Sequence, residues 1–257
     1  MSITTTDIRS MKGQKKITMV TAYDALMAKI VDSVGIPLIL VGDSVGMTYM
    51  GLPTTVPVTM EHMLHHTRAV MQGVSNSLVV GDLPFMSYAT EEVALMNAGR
   101  FLQEGGCHAV KLEGGQEVAG VVRRLVEAGI PVVGHIGLLP QSINQQGGYR
   151  IQGKTAQQAQ KLVDDAKALE ESGAFTVVLE GIPGELAARI TGSVGIPTIG
   201  IAAGPDCDGQ VQVITDLLGM QEDFVPKHAK QYAKLASVIR QSLTQYKADV
   251  EEGRFGR

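Results

Sequence analysis

The sequence predicts an α/β protein of the (β/α)8 TIM-barrel class, with one domain over residues 1–257. Its length of 257 residues is close to that at which a single barrel closes. Short β-rich runs alternate with helical patterns eight times, which is the barrel count. The strand segments are apolar throughout instead of alternating, as in a parallel sheet covered by helices. A doubly wound open sheet is the alternative fold.

Eight runs rich in Val, Ile, Leu and Thr are the predicted strands. They span 16–23, 37–43, 77–82, 108–113, 131–135, 175–180, 197–201 and 210–214. The phrase VGIP occurs at 34–37 and 194–197, and AGIP occurs at 128–131. Each combines a glycine that is typical of a helix end with a proline that is typical of a strand start. These phrases predict the turns from helix to strand.

Amphipathic helices are predicted between the strands. In segments 59–74 and 155–172 the apolar residues recur at three- and four-residue spacing and therefore lie on one face. Thr155 and Gln158 form a capping box, which predicts where the second of these helices begins. Both segments are expected to lie against the sheet.

The C-terminal segment 228–250 is predicted to be the final packing helix. Its apolar stripe consists of Tyr232, Leu235, Ala236, Ile239, Leu243 and Tyr246. Residues 1–15 are predicted to form a short N-terminal extension, and residues 251–257 a loose tail.

Composition excludes several classes of function. The formal net charge of −4 and a pI near 5.9 leave no basic surface for nucleic acid or an anionic membrane. The two cysteines, Cys107 and Cys207, lack the spacing of a zinc finger or a disulfide framework. The polar N-terminus lacks the apolar core of a signal peptide. We therefore expect a soluble cytoplasmic protein whose partners are small molecules.

Polar and charged residues cluster where the predicted strands end. They are Asp43, Ser44, Asp82, Lys111, Glu113, His135 and Glu180. In a parallel barrel all carboxyl ends of the strands open on one face, which is where such enzymes place their chemistry. The sequence therefore predicts an active site at this face.

Three acids on neighbouring strands, Asp43, Asp82 and Glu113, would repel one another unless a cation lay among them. Oxygen ligands without cysteine favour a hard ion, and Mg2+ suits a site with few protein ligands, although Mn2+ also fits. Such an ion could chelate a 2-oxo acid and make the neighbouring C–H acidic. Lys111 would then balance negative charge.

Each of these residues also has a purely structural interpretation. Asp43 or Asp82 alone could form a turn or cap a helix. Lys111 and Glu113 could be a structural ion pair, and His135 could be either a core histidine or a hydrogen-bond donor to substrate. Glu180 follows a very apolar strand, where a carboxylate would be costly to bury without a partner. Glu180 is therefore the candidate general base.

The loop at 145–154, QQGGYRIQGK, is either a lid over the site or an extended connection. No Gly-x-Gly-x-x-Gly after a strand and no Walker motif is present, so neither dinucleotide nor nucleoside triphosphate binding has a signature.

Taken with their surroundings, the strand-end residues resemble the ketopantoate (3-methyl-2-oxobutanoate) hydroxymethyltransferase family. The phrases that carry the resemblance are VGDSVGM, TTVPVTMEHMLHHTRAV, LVVGDLPFMSY, AVKLEGG, GIPVVGHIGLLPQSINQQGGYRIQGK, FTVVLEGIP, IPTIGIAAGPDCDGQV and DLLG, from about residue 17 to 230. Two positions depart from the family's usual sequence, since Ala202 stands where glycine is common and His228 where phenylalanine is common. Neither is a charged site residue.

The resemblance implies a magnesium-dependent barrel that transfers a hydroxymethyl group from 5,10-methylenetetrahydrofolate to 3-methyl-2-oxobutanoate. The product is 2-dehydropantoate, in the first step of pantothenate biosynthesis, by way of a Mg2+-stabilised enolate. It also implies Mg2+ ligands at the three acids, a proton acceptor at Glu180, and substrate contacts at Ser44, Lys111 and the acids. A homo-oligomer, usually a decamer, is expected.

Two other functions fit the residues. One is a Mg2+-dependent lyase or mutase that acts on phosphoenolpyruvate or an oxo acid with similar acids in a similar barrel. The other is a barrel that only binds a ligand or assembles with itself, although gathering uncompensated acids at one face argues against it.

Overall fold

A computed structural model describes residues 2–222, 226 and 229–256. Eight strands pair in parallel in chain order and close into a barrel. They are β1 (Ile17–Thr21), β2 (Leu38–Val41), β3 (Leu78–Asp82), β4 (Ala109–Lys111), β5 (Val132–Gly137), β6 (Thr176–Glu180), β7 (Thr198–Ile201) and β8 (Gly209–Gln212). All eight predicted strands are present, so the barrel is confirmed and the open sheet is wrong.

Helices precede, connect and follow the strands. They are α1 (Thr5–Ser10), α2 (Ala25–Ser33), α3 (Val45–Thr48), α4 (Met60–Met71), α5 (Glu91–Arg100), α6 (Ala119–Glu127), α7 (Ile143–Gln146), α8 (Ala156–Glu171), α9 (Gly184–Thr191), α10 (Ile214–Leu217) and α11 (Leu235–Glu251), with a π-helical turn at Phe101–Gly105. The predicted capping box is confirmed, because the Thr155 side chain accepts from the Gln158 N–H at the start of α8.

The N-terminal extension is part of the packed structure. Ile8 of α1 is fully buried and belongs to the same apolar cluster as Ile17 and Leu38, which lie at strand starts. The Ile3 N–H also donates to the carbonyl of Asn76, just before β3, at 2.7 Å. This segment therefore closes the end of the barrel opposite the predicted site.

The chain divides into two compact units, Met1–Val211 and Gln212–Arg257. The first unit contains the barrel strands up to Val211. In the second, the Tyr232 and Leu235 N–H groups donate to the carbonyls of Leu217 and Leu218 at the end of α10, at 2.8 and 3.0 Å. Across the described residues, no helix is long and apolar enough to cross a membrane.

The C-terminal helix differs from its prediction. It begins at Leu235 because Lys234 has a non-helical backbone, with φ −123° and ψ 61°, whereas the predicted start, His228, lies outside the described residues. The apolar stripe from 232 to 246 was expected to pack, yet no residue of α11 is buried. Ile239, Leu243 and Tyr246 are all exposed.

Candidate active site

The predicted site residues all lie at the carboxyl end of the barrel. Asp82, Lys111 and Glu180 are the last residues of β3, β4 and β6. Asp43 and Glu113 follow their strands by two residues, and His135 lies within β5. Every one of these side chains except that of Glu180 is buried.

Asp82 and Lys111 form a buried ion pair. They are neighbours in the register of β3 and β4, and the Lys111 Nζ donates to Asp82 Oδ1 at 2.6 Å. Glu113 is farther from the same ammonium, at 4.0 Å. Lys111 and Glu113 thus point the same way, but the closer partner of the lysine is Asp82.

Asp43 is held in the cluster and does not cap a helix. Its backbone N–H donates to Asp82 Oδ2 at 3.2 Å, and its Oδ2 accepts from Gln141 Nε2 at 2.9 Å. The N-cap of the following helix α3 is Ser44, which forms no side-chain capping bond. The helix-cap interpretation of Asp43 therefore has no support.

Burial and mutual repulsion set the charges of this cluster. Burial, followed by the charge of Asp82, raises the pKa of Asp43 well above its ordinary value. Burial also raises the pKa of Asp82 against the opposing effect of Lys111. Burial acts to lower the pKa of Lys111, but the charges of Asp82, Glu113 and Asp43 outweigh it and raise that pKa.

The pKa of Glu113 shifts in the opposite direction from the pKa values of the two aspartates. Burial acts to raise its pKa, but contacts with His135 and Lys111 outweigh burial and lower it. If Asp43, Asp82, Glu113 and Glu180 are ionised while Lys111 and His135 are protonated, two negative charges remain. That is the charge that a divalent cation would balance.

His135 lies between the acid cluster and Glu180. Its Nδ1 is 3.5 Å from Glu113 Oε1, and its Nε2 is 3.2 Å from Glu180 Oε2. Burial and Lys111 act to lower the pKa of His135, but the two carboxylates outweigh them and raise it to about 9. Neither nitrogen has a well-aligned hydrogen-bond partner among the described residues. The polar contacts of His135 argue against a purely apolar core role.

The side chain of Glu180 is more exposed than its sequence context suggested. The apolar strand before it suggested a buried carboxylate, yet its side chain is 21% exposed. At the rim of the barrel Glu180 is thus less covered than Asp82 and Lys111, which also end their strands and are buried. Glu180 therefore lies where a ligand from solvent could reach it.

Ser44 contacts Tyr23 instead of an acid. Its Oγ lies 2.8 Å from the Tyr23 hydroxyl, and either group could donate. The Tyr23 ring is buried and packs against Tyr49 at a centroid distance of 5.1 Å. Burial raises the pKa of Tyr23 to about 12, so its hydroxyl stays protonated.

The 145–154 loop reaches the rim of the site from two sides. The Tyr149 hydroxyl donates to the sulfur of Met47 at 3.4 Å, and the Gln152 N–H donates to the carbonyl of Gly181 at 2.8 Å. Burial, then the charges of Glu180 and Asp43, raises the pKa of Tyr149.

Sequence reasoning missed three neutral residues of the site, namely Gln141, which contacts two acids, Tyr88, which contacts Gln141, and Tyr23, which contacts Ser44. The Gln141 side chain contacts Asp43 and its backbone N–H contacts Glu113, while the Tyr88 hydroxyl donates to Gln141. The only available signal for Gln141 was its place in the phrase GLLPQ after His135. A neutral amide in a loop has no distinctive pattern.

The donor set suits a hard cation. Each carboxylate oxygen can accept more than one bond, so Asp43 and Asp82 keep acceptor capacity beyond their protein contacts. In the part of the chain that the structure describes, no group of three or more His, Cys, Asp or Glu side chains is arranged to hold a metal ion. The three acids are therefore not preassembled as a three-ligand site, and a cation such as Mg2+, which retains water, would draw their oxygens together or bind through fewer of them.

Comparison with known structures shows the same fold. Phosphonopyruvate hydrolase superimposes with a TM-score of 0.65 and 13% identity, covering 99% of this chain and 89% of the other. For 2,3-dimethylmalate lyase, a member of the PEP mutase/isocitrate lyase superfamily, the TM-score is 0.62 and the identity 16%, covering 100% and 90%. At such identities the likeness concerns the fold alone.

Sequence comparison is much more specific. The 3-methyl-2-oxobutanoate hydroxymethyltransferase of Syntrophus aciditrophicus is 57% identical over 255 residues, covering 98% of this chain and 94% of the relative. The protein of the same name from Dehalococcoides mccartyi is 56% identical over 257 residues, covering 99% and 92%. A family model described as ketopantoate hydroxymethyltransferase matches residues 2–257. The chain therefore belongs to the ketopantoate hydroxymethyltransferase family.

Proposed function

We propose that the protein transfers a hydroxymethyl group from 5,10-methylenetetrahydrofolate to 3-methyl-2-oxobutanoate, giving 2-dehydropantoate in pantothenate biosynthesis. Family membership over nearly the whole chain supports the reaction. One observation supports the chemistry most directly. His135 lies between Glu113, 3.5 Å from its Nδ1, and the partly exposed Glu180, 3.2 Å from its Nε2. This arrangement puts a candidate base next to a buried acid cluster.

The substrate would bind at the strand ends. Lys111 would attract the carboxylate of the oxo acid, although its ion pair with Asp82 at 2.6 Å already neutralises part of its charge. Mg2+, held by Asp43, Asp82 and Glu113, would supply the Lewis acidity that polarises the keto group and acidifies C3–H. His135 and Ser44 would donate hydrogen bonds to substrate oxygens.

Glu180 would accept the C3 proton of the oxo acid. Its partly exposed carboxylate is accessible to substrate, and His135 Nε2 lies 3.2 Å from its Oε2. The resulting enolate carbon would attack the methylene carbon of the folate and form the new C–C bond, while one of the two carbon–nitrogen bonds of the methylene bridge breaks and leaves its electron pair on nitrogen. Hydrolysis of the carbon–nitrogen bond to the folate would then complete the hydroxymethyl group and release tetrahydrofolate.

An assay of hydroxymethyl transfer tests this function directly. Purified protein should convert 3-methyl-2-oxobutanoate to 2-dehydropantoate only when methylenetetrahydrofolate is present. Removal of divalent ions with EDTA should abolish turnover, and added Mg2+ or Mn2+ should restore it. Turnover of an oxo acid without the folate would favour the lyase or mutase function, and ligand binding without turnover would favour a binding protein.

We also propose that the protein forms a homo-oligomer, a decamer by resemblance to the family. The outer face of α2 supports this, because Leu26, Ile30 and Val34 are spaced one turn apart and are 79, 59 and 69% exposed. A second copy of the chain would cover this apolar stripe. Light scattering should show a large oligomer for the parent and a smaller species for Ile30→Glu. A monomeric parent would contradict the proposal.

A further inference from the structure

We propose that Gln141 is a positioning residue that fixes the spacing of Asp43 and Glu113 and thereby sets the affinity of the site for its divalent cation. This inference rests on the proposed metal role of the acids. It concerns a neutral residue, 3% exposed, that no charge pattern reveals.

Gln141 contacts both acids through different groups. Its side-chain Nε2 donates to Asp43 Oδ2 at 2.9 Å, and its backbone N–H donates to Glu113 Oε2 at 3.1 Å. The second hydrogen of Nε2 is directed to the carbonyl of Leu83 at 2.9 Å. One residue thus joins acids that follow two different strands, β2 and β4.

Tyr88 fixes which way the amide points. Its hydroxyl donates to Gln141 Oε1 at 2.6 Å, so Oε1 has a donor while Nε2 faces two acceptors. A flipped amide would place its oxygen against Asp43 and the carbonyl of Leu83, and both contacts would be repulsive. The oriented amide therefore always presents its donor to Asp43.

The backbone around Gln141 makes the contact to Glu113 rigid. Pro140 begins a short 3-10 turn, Pro140–Ser142, which aims the Gln141 N–H at the carboxylate. The donors are uncharged, so they stabilise two repelling carboxylates without taking the place of a cation. A lysine at this position would instead compete with the metal for the same oxygens.

Groups that orient metal ligands from behind affect metal binding measurably. Losing one typically weakens metal affinity by about 10- to 100-fold. We expect that loss for Gln141→Leu, which introduces a branched apolar side chain, one atom shorter, and removes both polar atoms of the amide. Stability without metal should change less than metal affinity, because the apolar replacement leaves the core filled.

The test is titration of EDTA-stripped protein with Mn2+ alone, with free Mn2+ measured by electron paramagnetic resonance. The matched control is Gln146→Leu, since Gln146 lies in the same loop and contacts the carbonyl of Gly137 and the N–H of Leu139 but no acid. Gln141→Leu should bind Mn2+ about 10- to 100-fold more weakly than the parent, and the control should bind like the parent.

Equal weakening in both variants, parent-like affinity in Gln141→Leu, or no Mn2+ binding by the parent would each overturn the inference. If Gln141→Leu does not fold, Tyr88→Phe decides, with an expected loss of about two- to tenfold, as for one hydrogen bond. Parent-like Mn2+ affinity of Tyr88→Phe would then overturn the inference. A parent that fails to transfer the hydroxymethyl group but loses Mn2+ affinity on mutation of Gln141 would contradict the proposed function and support this inference.

Discussion

Asp32 illustrates how one buried carboxylate organises a loop far from the active site. It lies in α2 and accepts hydrogen bonds from the N–H groups of Ser75, Asn76 and Ser77 at 3.2, 3.0 and 2.7 Å, and from the Ser77 hydroxyl at 2.8 Å. Burial acts to raise its pKa, but these bonds outweigh burial and lower it from 3.8 to about 2. The folded state therefore favours the ionised form.

Asp32→Asn should destabilise the protein in a pH-dependent way. The folded pKa is depressed, so its contribution is present above about pH 4 and is lost as pH falls toward 2. We expect a loss of about 2 kcal/mol at pH 7 and about half of that at pH 3, measured by urea unfolding of parent and variant. A difference that stays constant between these pH values would show that the ionised form is not favoured.

Ala202 carries backbone strain directly after β7. Its φ is +51°, in the left-handed region that an alanine occupies at a cost of about 1–2 kcal/mol. Ala202→Gly should therefore stabilise the protein by about 0.5–1 kcal/mol after the greater flexibility of the unfolded chain is included.

The neighbouring Ala203 provides the control for this change. It is buried and has no positive φ, so Ala203→Gly should be destabilising. Chemical unfolding of both variants gives the comparison. Destabilisation by Ala202→Gly as well would mean that strain at this residue is small.

Among the secondary-structure elements, β3 shows why packing requires a glycine at position 81, in its sequence VVGD. A Cβ at this position would lie 2.4 Å from Cδ1 of Phe101, at the start of the π-helical turn Phe101–Gly105. The glycine lets the Phe101 ring pack against the strand directly before Asp82. The same residue therefore connects the core to the placement of an acid.

Gly81→Ala should destabilise the fold by about 1–3 kcal/mol through overpacking. Gly99→Ala is the matched control, because Gly99 lies within α5 and a Cβ there has nothing within 4 Å. That change should stabilise by about 0.5–1 kcal/mol through helix propensity. Thermal or urea unfolding of both tests the contrast, and equal effects would contradict it.

The sequence permitted prediction of the elements and of the charged site residues because both leave local signals. Apolar runs identified all eight strands, and acids that interrupt such runs, such as Asp43 and Asp82, identified the face of the barrel. Gln141 could not be predicted, since its importance comes from contacts with residues 98 and 28 positions away in the chain. The exposure of Glu180 depends on the rim of the barrel, which no local pattern describes.

At the scale of the whole molecule, the barrel concentrates negative charge at one end. Asp43, Asp82 and Glu113 are all buried there, so a divalent cation should bind the folded state and not the unfolded chain. Mg2+ at about 100 times its Kd would stabilise the protein by about 2.7 kcal/mol. The midpoint temperature of thermal unfolding should therefore be higher in Mg2+ than in EDTA.

Asp43→Asn should remove most of this stabilisation by Mg2+. It should also raise stability in EDTA, because it relieves repulsion among the buried acids. Thermal unfolding of the variant with and without Mg2+ measures both effects. An unchanged response to Mg2+ would contradict the proposed role of Asp43.

We propose that Glu180, at the mouth of this acid-lined barrel, removes the C3 proton of the oxo acid. Nuclear magnetic resonance in D2O measures this step without folate, as exchange of the C3 hydrogen of 3-methyl-2-oxobutanoate in the presence of Mg2+. The parent and the control Glu185→Gln, an exposed acid in the first turn of α9, should exchange alike. Glu180→Gln should exchange at least about 100-fold more slowly, and exchange at the parent rate would contradict the claim.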